Sequence, residues 1–308
     1  HVRSRRQRQM CIRDRIVTIY LLDSIMQNDN IKSMKLYNFI DRIYNELREL
    51  GKANSGSLSV NELSSFDQLH YHGTQAIDFA IKKLNINHKS NILEIGSGLG
   101  GPARYLAKKT GANITAVELQ EDHHDAAVYL TKRCNLDSKV EHICGDFLQL
   151  EFPKNHYTVL VSWLALYHIP NRKKLLNNCI DILKPDGHFY VEDFAFFKPF
   201  DDNEKIELSN DFFANYLVSL SQYETDLKEA GFSKIFIEDM TSSWSKFTKD
   251  RYKNYQDNID RHTRVHNEII VQNMLYFYSF AMRYLSGGKL AGIRAVSYTH
   301  LTLPTTPY

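Results

Sequence analysis

From residue 91 onward, short apolar runs alternate with stretches in which apolar residues recur every three or four positions. The stretches have helical spacing, and 121–133 also opens with acidic residues and closes with basic ones, as a helix dipole favours. The runs are typical of buried strands and occur at 91–95, 113–117, 140–144, 157–162, 188–193 and 234–239. Because strands alternating with helices build a parallel sheet covered on both faces, the pattern predicts an α/β fold with a doubly wound, mostly parallel sheet.

Three segments depart from this alternation. Residues 16–90 have helical periods broken by a polar Gly/Ser linker and predict an N-terminal helical cap. Residues 195–221 form an insertion after the fifth strand that is rich in aromatic residues, and 242–285 form a long, mostly helical segment. We therefore expect a cap at 16–90 and one α/β domain at 91–294.

The two ends of the chain differ in composition from the rest. Residues 1–15 contain six arginines and one aspartate without an apolar period, and residues 295–308 contain no charged residue. Both resemble translated adaptor sequence, so each is predicted to be a non-native tail. The formal charge of +2 comes from the first tail, and the remaining residues are net acidic.

Composition restricts the location and the partners of the protein. Four cysteines lie far apart without a Cys-x-x-Cys pair, which favours a reducing, cytoplasmic location. No apolar stretch reaches the roughly 20 residues that a membrane-spanning helix needs. Outside the first tail there is no basic stripe with interleaved aromatic residues, so we expect no nucleic-acid partner.

A glycine-rich loop follows the first strand, in the sequence Asn-Ile-Leu-Glu-Ile-Gly-Ser-Gly-Leu-Gly-Gly-Pro at 91–102. Glycines let a backbone turn sharply and approach a ligand closely. Pro102 suits the first turn of a helix, whose free N–H groups favour an anionic ligand group. The spacing Gly96-x-Gly98-x-x-Gly101 also fits the dinucleotide fingerprint. The loop therefore predicts a nucleotide site and leaves the nucleotide open.

Three acidic residues favour one nucleotide over the others. Glu94 precedes the first glycine by two positions, where its carboxylate repels a pyrophosphate and attracts an ammonium group. Glu118 closes the second apolar run, at the distance where an acid meets a ribose diol. Asp146 follows the third run and can accept a hydrogen bond from an adenine amino group. These features predict S-adenosylmethionine, whereas an NAD-dependent oxidoreductase requires only the glycines and Glu118.

On these residues the chain resembles a class I S-adenosylmethionine-dependent methyltransferase. The segments 66–73, 163–170 and 183–194 are similar to further signatures of that family, and the nearest likeness is to enzymes that methylate small amines such as phosphoethanolamine or sarcosine and dimethylglycine. The resemblance implies a seven-stranded Rossmann-like sheet, with a seventh strand antiparallel between strands five and six. Leu290 onward is the place for that strand, so the predicted tail would begin inside it.

The residues and the resemblance together define a candidate site. His168, just past strand four, is the expected general base because histidine titrates near neutral pH, and Tyr71 could pair with it. The alternative is that His168 only makes structural hydrogen bonds and that Tyr71 packs on the cap. We expect no metal ion, because no histidine spacing is typical of a metal site. The predicted cofactor-binding residues are Gln68, Gly73, Glu94, Gly96, Ser97, Gly98, Gly100, Glu118, Leu119, Gln120, Asp146, Phe147 and Trp163.

The predicted function is transfer of a methyl group from S-adenosylmethionine to the nitrogen of a small polar acceptor, by direct in-line attack. The alternatives are an O- or C-methyltransferase of a lipophilic molecule such as a sterol or quinol, the oxidoreductase, and an inactive cofactor-binding subunit. The aromatic residues of 195–221 either cage a methylated ammonium or pack on the sheet. The oligomeric state is left open.

Overall fold

A computed structural model of the chain describes residues 40–53 and 56–299. Its centre is a seven-stranded sheet with the strand order β3-β2-β1-β4-β5-β7-β6. The strands are β1 (Asn91–Ile95), β2 (Asn113–Glu118), β3 (Val140–Cys144), β4 (Tyr157–Trp163), β5 (Leu183–Phe196), β6 (Ser233–Asp239) and β7 (Leu290–Tyr298). Neighbouring strands are parallel, except that β7 runs antiparallel to β5 and β6. The predicted fold class is confirmed.

Helices cover both faces of the sheet. Those before the sheet are α1 (Asp41–Glu49), α2 (Val60–Leu63) and α3 (Thr74–Leu84). Those that connect strands or follow them are α4 (Gly101–Thr110), α5 (Glu121–Arg133), α6 (Arg172–Ile182), α7 (Asp202–Phe212), α8 (Leu220–Glu229), α9 (Thr241–Asp257), α10 (Ile259–His266) and α11 (Glu268–Ser286). None of these described helices combines the length and the apolar character that crossing a bilayer requires.

Local sequence explains the helix that follows the glycine-rich loop. Gly100 has φ 70° at the N-cap of α4, a left-handed conformation that costs glycine little, and Pro102 occupies the first turn. The helix ends at Gly111, whose φ is 74° and whose N–H donates to the carbonyl oxygen of Ala107. The loop and the start of α4 therefore take their shape from residues that the sequence itself specifies.

The predicted N-terminal cap is described only in part. Helix α1 lies inside the helical period expected over 16–50, and the residues before 40 lie outside the described part of the chain. Leu47 and Leu63 are fully buried and pack with Leu99 and Leu130. The cap thus rests on the glycine-rich loop and on α5.

Strand β7 corrects the boundary predicted at residue 294. The strand runs to Tyr298, and Ala295 and Val296 are buried between β5 and β6. Composition placed the boundary too early because 295–298 carries no charge and borders a segment unlike the rest of the chain, whereas the resemblance already implied a strand from Leu290 that continues into the predicted tail. The structural domain extends through the strand, and residues 300–308 lie outside the described residues.

The insertion after β5 packs mainly as core. Helix α7 occupies its middle. The ring of Phe212 packs between those of Phe194 and Phe280, with centroid distances of 5.5 Å to Phe194 and 4.9 Å to Phe280. Trp244 of α9 joins the same cluster and is fully buried. The insertion therefore ties α9 and α11 to the end of β5.

Gly292 of β7 lies directly under the Trp244 ring, and a Cβ added there would be 2.3 Å from Trp244 Cε3. We expect Gly292→Ala to lower the free energy of unfolding by about 1–3 kcal/mol, because the indole must shift in a packed core. Thermal and denaturant unfolding measure this change. Gly288→Asn is the control, because the surroundings of Gly288 are open and asparagine tolerates its φ of 73°; equal losses in both variants would contradict the packing argument.

Two ion pairs join α1 to α10. Both carboxylate oxygens of Glu46 accept from Arg261, at 3.0 and 2.6 Å, and Oε1 also lies 2.9 Å from His266 Nε2. Glu49 makes a second bidentate pair with Arg264. The hydrogen bonds from His266 and Arg261 outweigh burial and lower the pKa of Glu46 from 4.5 to about 2.

This depressed pKa makes the stability of the α1–α10 contact depend on pH. The contribution of Glu46 is complete above its ordinary pKa of 4.5 and is lost as pH falls toward about 2. Glu46→Gln should lower the free energy of unfolding at pH 7 by about 1.5–3 kcal/mol and flatten this acid dependence. Denaturant unfolding between pH 2.5 and 7 tests it, and Glu49→Gln, in an exposed pair, should change stability much less.

Candidate active site

The carboxyl ends of four neighbouring strands border one cavity of about 640 Å³. Glu94 comes from β1, Glu118 ends β2, Asp146 follows β3 and Trp163 ends β4. Because β1 to β4 run parallel, these ends meet at the same edge of the sheet, at the switch in strand order between β1 and β4. The predicted residues that line the cavity are Glu94, Gly96, Ser97, Gly98, Glu118, Leu119, Gln120, Asp146, Phe147, Trp163 and His168.

The glycine-rich loop is fixed by β2. The N–H groups of Gly96 and Ser97 both donate to the carbonyl oxygen of Val117, at 2.9 Å each. Gly96 has φ 71°, and a Cβ at this position would lie 2.2 Å from the Cβ of Ala165. Only glycine therefore fits here, and the loop stays close to the chain that follows β4.

Glu118 connects the loop to the next strand. Its Oε2 accepts from the Gly98 N–H at 2.7 Å, and its Oε1 accepts from the Gln120 N–H at 2.9 Å. A carboxylate offers about four lone-pair positions, so two remain for further donors such as the hydroxyls of a diol. The side chain thus both shapes the loop and presents acceptors to the cavity.

Several buried polar atoms of this cavity have no hydrogen-bond partner among the described residues. They are Glu94 Oε2, Ser97 Oγ, Gln120 Oε1 and Trp163 Nε1. Buried polar groups are almost always paired, and a group of such atoms around one cavity indicates a polar ligand. The residues present therefore suit a ligand with both donors and acceptors.

Glu94 is the most perturbed acid of the cavity. Burial raises its pKa well above the usual value, against the lowering effect of Arg104, and Glu118 raises it further. A cation bound beside Glu94 favours the charged carboxylate and offsets this cost. The site is therefore suited to a positively charged group next to β1.

Asp146 and Phe147 border the other end of the cavity. Asp146 Oδ1 accepts from the Leu148 N–H at 2.8 Å, which fixes the loop after β3. Phe147 is buried and stacks on Phe152 at 5.7 Å between ring centroids. An acid beside an aromatic face matches the expected surroundings of an adenine.

His168 lies in the short turn after β4 and is buried. Its Nδ1 is 3.0 Å from the carbonyl oxygen of Phe213, which can only accept, so Nδ1 carries the proton of the neutral ring. Burial lowers the pKa of His168 to about 4. The expectation that this ring titrates near neutral pH is therefore wrong: at pH 7 it is a neutral hydrogen-bond acceptor through Nε2.

The structure places four predicted residues away from this cavity. Gln68 donates to Asp67 and borders a second cavity, and Tyr71 stacks on Trp244 at 4.3 Å instead of pairing with His168. Gly73 forms the N-cap of α3, and a Cβ on Gly100 would point at His142 and Arg104. The sequence could not show this, because 66–73 is irregular and which of its side chains face the cavity follows from tertiary packing.

The second cavity, of about 220 Å³, adjoins the first. Arg42 of α1 and Arg251 of α9 both line it, and the hydroxyl of Tyr255 is buried there without a hydrogen-bond partner among the described residues. The Arg251 guanidinium lies 4.6 Å over the Phe247 ring, whereas Lys246 and Lys253 pair with acids of their own helix. The sequence analysis missed this cavity, because its walls come from segments about 200 residues apart.

Glu46, His262 and His266, which also line this cavity, place possible metal-ligand atoms within 4.8 Å of one another. The sequence did not suggest this group, because Glu46 is remote from the two histidines in the chain. Arg261 and His266 already hold both oxygens of Glu46, so the geometry is that of an ion-pair network.

Comparison with known proteins finds similarity to methyltransferases. Residues 93–191 match a protein-family model described as a methyltransferase domain. The phosphoethanolamine N-methyltransferase of Plasmodium falciparum (isolate 3D7) is 25% identical over 205 residues, which cover 64% of this chain and 73% of that protein. A sterol 24-C-methyltransferase of Neurospora crassa is 28% identical over 166 residues, which cover 51% of this chain and 43% of that protein. The chain thus spans less than half the length of that sterol enzyme.

Solved structures share the fold. Haemonchus contortus phosphoethanolamine N-methyltransferase 2, in complex with phosphomonomethylethanolamine and S-adenosylhomocysteine, gives a TM-score of 0.72 at 19% identity, over 76% of this chain and 55% of that chain. A protein from Galdieria sulphuraria that is described as a putative sarcosine dimethylglycine methyltransferase gives a TM-score of 0.63 at 17% identity, over 74% of this chain and 85% of that chain. The chain therefore carries a methyltransferase domain and has the Rossmann-like fold of the class I S-adenosylmethionine-dependent methyltransferases.

Proposed function

We propose that the protein transfers a methyl group from S-adenosylmethionine to the nitrogen of a small polar amine. The observation that supports this most is the convergence of Glu94, Glu118 and Asp146 on one cavity that also contains His168. An ammonium, a ribose and an adenine would each meet a matching acid there, whereas the carboxylate of Glu94 would repel a pyrophosphate. If the protein were an NAD-dependent oxidoreductase, Glu94 and Asp146 would have no role.

The residues of the first cavity fit this cofactor. Glu94 would hold the ammonium group, Glu118 the ribose hydroxyls, and Asp146 with Phe147 the adenine, while Leu119 and Gln120 flank the ring. The bound cofactor supplies a sulfonium methyl, which is already an activated electrophile. The protein then contributes mainly orientation, and well-oriented reactants gain roughly 7–11 kcal/mol from positioning. His168 Nε2 would accept an N–H of the acceptor and orient its lone pair.

The second cavity supports a small, polar acceptor. It is smaller than the ~300–1,000 Å³ typical of sites for drug-sized ligands, and Arg42, Arg251 and the Tyr255 hydroxyl line it. These groups suit an anionic substituent on the amine. The names of two similar proteins support this choice: one is a phosphoethanolamine N-methyltransferase, and the other is a solved structure named for sarcosine and dimethylglycine methylation.

A lipophilic acceptor is the second candidate. Phe66, Phe194, Phe212, Phe247 and Phe277 also line the second cavity, and sterol methyltransferases are among the relatives. The charged groups and the small volume favour the amine over the sterol. Binding a lipophilic acceptor would require these charges to face away from it.

Two measurements on the full chain test the proposal. Calorimetry with S-adenosylhomocysteine should show binding, and radiolabelled S-adenosylmethionine should label phosphoethanolamine or sarcosine in preference to a sterol. Absence of binding in a folded sample would contradict the cofactor assignment, and label on the sterol alone would favour the second candidate. We also propose a cytoplasmic location, supported by the free thiols of Cys134 and Cys179.

A further inference from the structure

His70 lies where the two cavities meet. The residues that border both cavities are Leu69, His70 and Leu164, and His70 carries the polar side chain among them. On the proposed function, the first cavity holds the methyl donor and the second holds the acceptor. The transferred methyl group must therefore cross the boundary that His70 forms.

The hydrogen bonding of His70 fixes its tautomer. Its Nε2 lies 3.0 Å from the carbonyl oxygen of Gly73, which can only accept, so Nε2 carries the proton. Nδ1 then carries the lone pair, and no described residue donates a hydrogen bond to it. Burial lowers the pKa of His70 to about 4, so the ring is neutral at pH 7. His70 is thus a hydrogen-bond acceptor that the fold leaves unused.

The surroundings hold this ring in place. Gly73 has φ 51° and ψ −131° at the N-cap of α3, a conformation that favours glycine, and its carbonyl oxygen lies 3.0 Å from His70 Nε2. On another side, the ring centroid of Trp163 lies 5.7 Å from that of His70. Two backbone carbonyl groups therefore anchor two neutral imidazoles at the first cavity: Gly73 fixes Nε2 of His70, and Phe213 fixes Nδ1 of His168.

We infer that His70 Nδ1 accepts a hydrogen bond from the acceptor amine and, together with His168 Nε2, directs the nitrogen lone pair at the methyl group. A neutral primary amine has two N–H groups and one lone pair. When both N–H groups are held by hydrogen bonds, the lone pair can point in only one direction. The lone pair forms the new N–C bond while the C–S bond breaks and leaves its electrons on sulfur. The product ammonium then releases its proton to water.

This inference rests on the proposed function and adds a selectivity to it. A secondary amine still offers one N–H, and a tertiary amine offers none. His70 is therefore expected to favour acceptors that carry N–H groups, whereas a residue that only supports the fold would affect every acceptor alike. The series phosphoethanolamine, its N-methyl form and its N,N-dimethyl form provides this comparison.

His70→Gln is the informative variant. Glutamine places a donor near the position of Nε2, so the hydrogen bond to Gly73 is kept, but it has no acceptor at the position of Nδ1. We expect kcat for phosphoethanolamine to fall about 10- to 100-fold, the value of a hydrogen bond made to a developing charge. The rate with the dimethyl form and the affinity for S-adenosylhomocysteine should change little.

Two further variants separate the inference from a structural effect. His70→Asn keeps an acceptor near Nδ1 and loses the bond to Gly73, so it should recover part of the rate with the primary amine. His72→Asn is the control in the same segment, because His72 contacts Ser243 and Phe247 and borders neither cavity. Equal losses for all three acceptors in His70→Gln, or no loss, would overturn the role of His70; a wild-type protein that methylates none of them would overturn the proposed function itself.

Discussion

Replacing Glu118 by alanine is expected to weaken binding of S-adenosylmethionine and S-adenosylhomocysteine by about 100-fold, which corresponds to about 3 kcal/mol. The variant would lose the proposed contact to the ribose, and it also leaves the N–H groups of Gly98 and Gln120 without their acceptor. A hydrogen bond to a charged group contributes about 1.5–3 kcal/mol, so loss of the proposed ribose contact is sufficient for the expected effect. Calorimetry with S-adenosylhomocysteine measures it directly.

Glu118→Gln should give an intermediate loss, because its amide keeps one acceptor and places a donor against an N–H. Glu121→Ala is the matched control, since it removes the same charge from an exposed position three residues later. A Kd for Glu118→Ala close to that of the control would show that Glu118 acts only in the loop and does not contact the cofactor.

Replacing His168 by asparagine is expected to lower kcat by about 10- to 100-fold without changing the affinity for S-adenosylhomocysteine. Asparagine can still donate to the Phe213 carbonyl group from the position of Nδ1, so the turn after β4 keeps its anchor. It has no acceptor at the position of Nε2, and the acceptor amine loses its orientation. Steady-state kinetics with phosphoethanolamine or sarcosine measure the change.

The pH profile gives a second readout for His168. Because its pKa is about 4, the ring already accepts hydrogen bonds at pH 6 and above, and it should not limit the rate there. The wild-type kcat/KM is therefore expected to rise with pH as the amine itself loses its proton. A decrease in kcat/KM as the pH falls through about 6.5, present in the wild type and absent from His168→Asn, would instead identify His168 as a base with an ordinary pKa.

The acids of the cofactor cavity could be predicted because their positions follow from local sequence and one rule of sheet geometry. Apolar runs mark the strands. Glu94 lies one residue before the end of β1, Glu118 is the last residue of β2, and Asp146 follows β3. In a parallel sheet these ends share one edge, so no knowledge of side-chain packing is needed to bring the acids together. The glycine-rich loop is specified in the same way, because its turns require φ values that favour glycine.

The irregular segment before α3 shows the limit of this reasoning. Its sequence marked Gln68, Tyr71 and Gly73 as candidates, whereas the structure turns Leu69 and His70 toward the first cavity and Tyr71 toward Trp244. Side-chain directions in an irregular segment repeat neither every two residues, as in a strand, nor every 3.6 residues, as in a helix. The direction of each side chain therefore depends on what packs against it. The tautomers of His70 and His168 likewise depend on two carbonyl groups that only the fold brings near, and burial keeps both rings neutral.

The sequence by itself determined the α/β class, the strand and helix order and the cofactor end of the site, because all of these depend on local periodicity and on strand ends. Only the tertiary structure decided the acceptor end. Arg42, Arg251 and Tyr255 come from α1 and α9, and the packing of distant helices joins them into one cavity. The same packing draws residues 295–298 into β7, because the two neighbouring strands leave space for a buried partner between them.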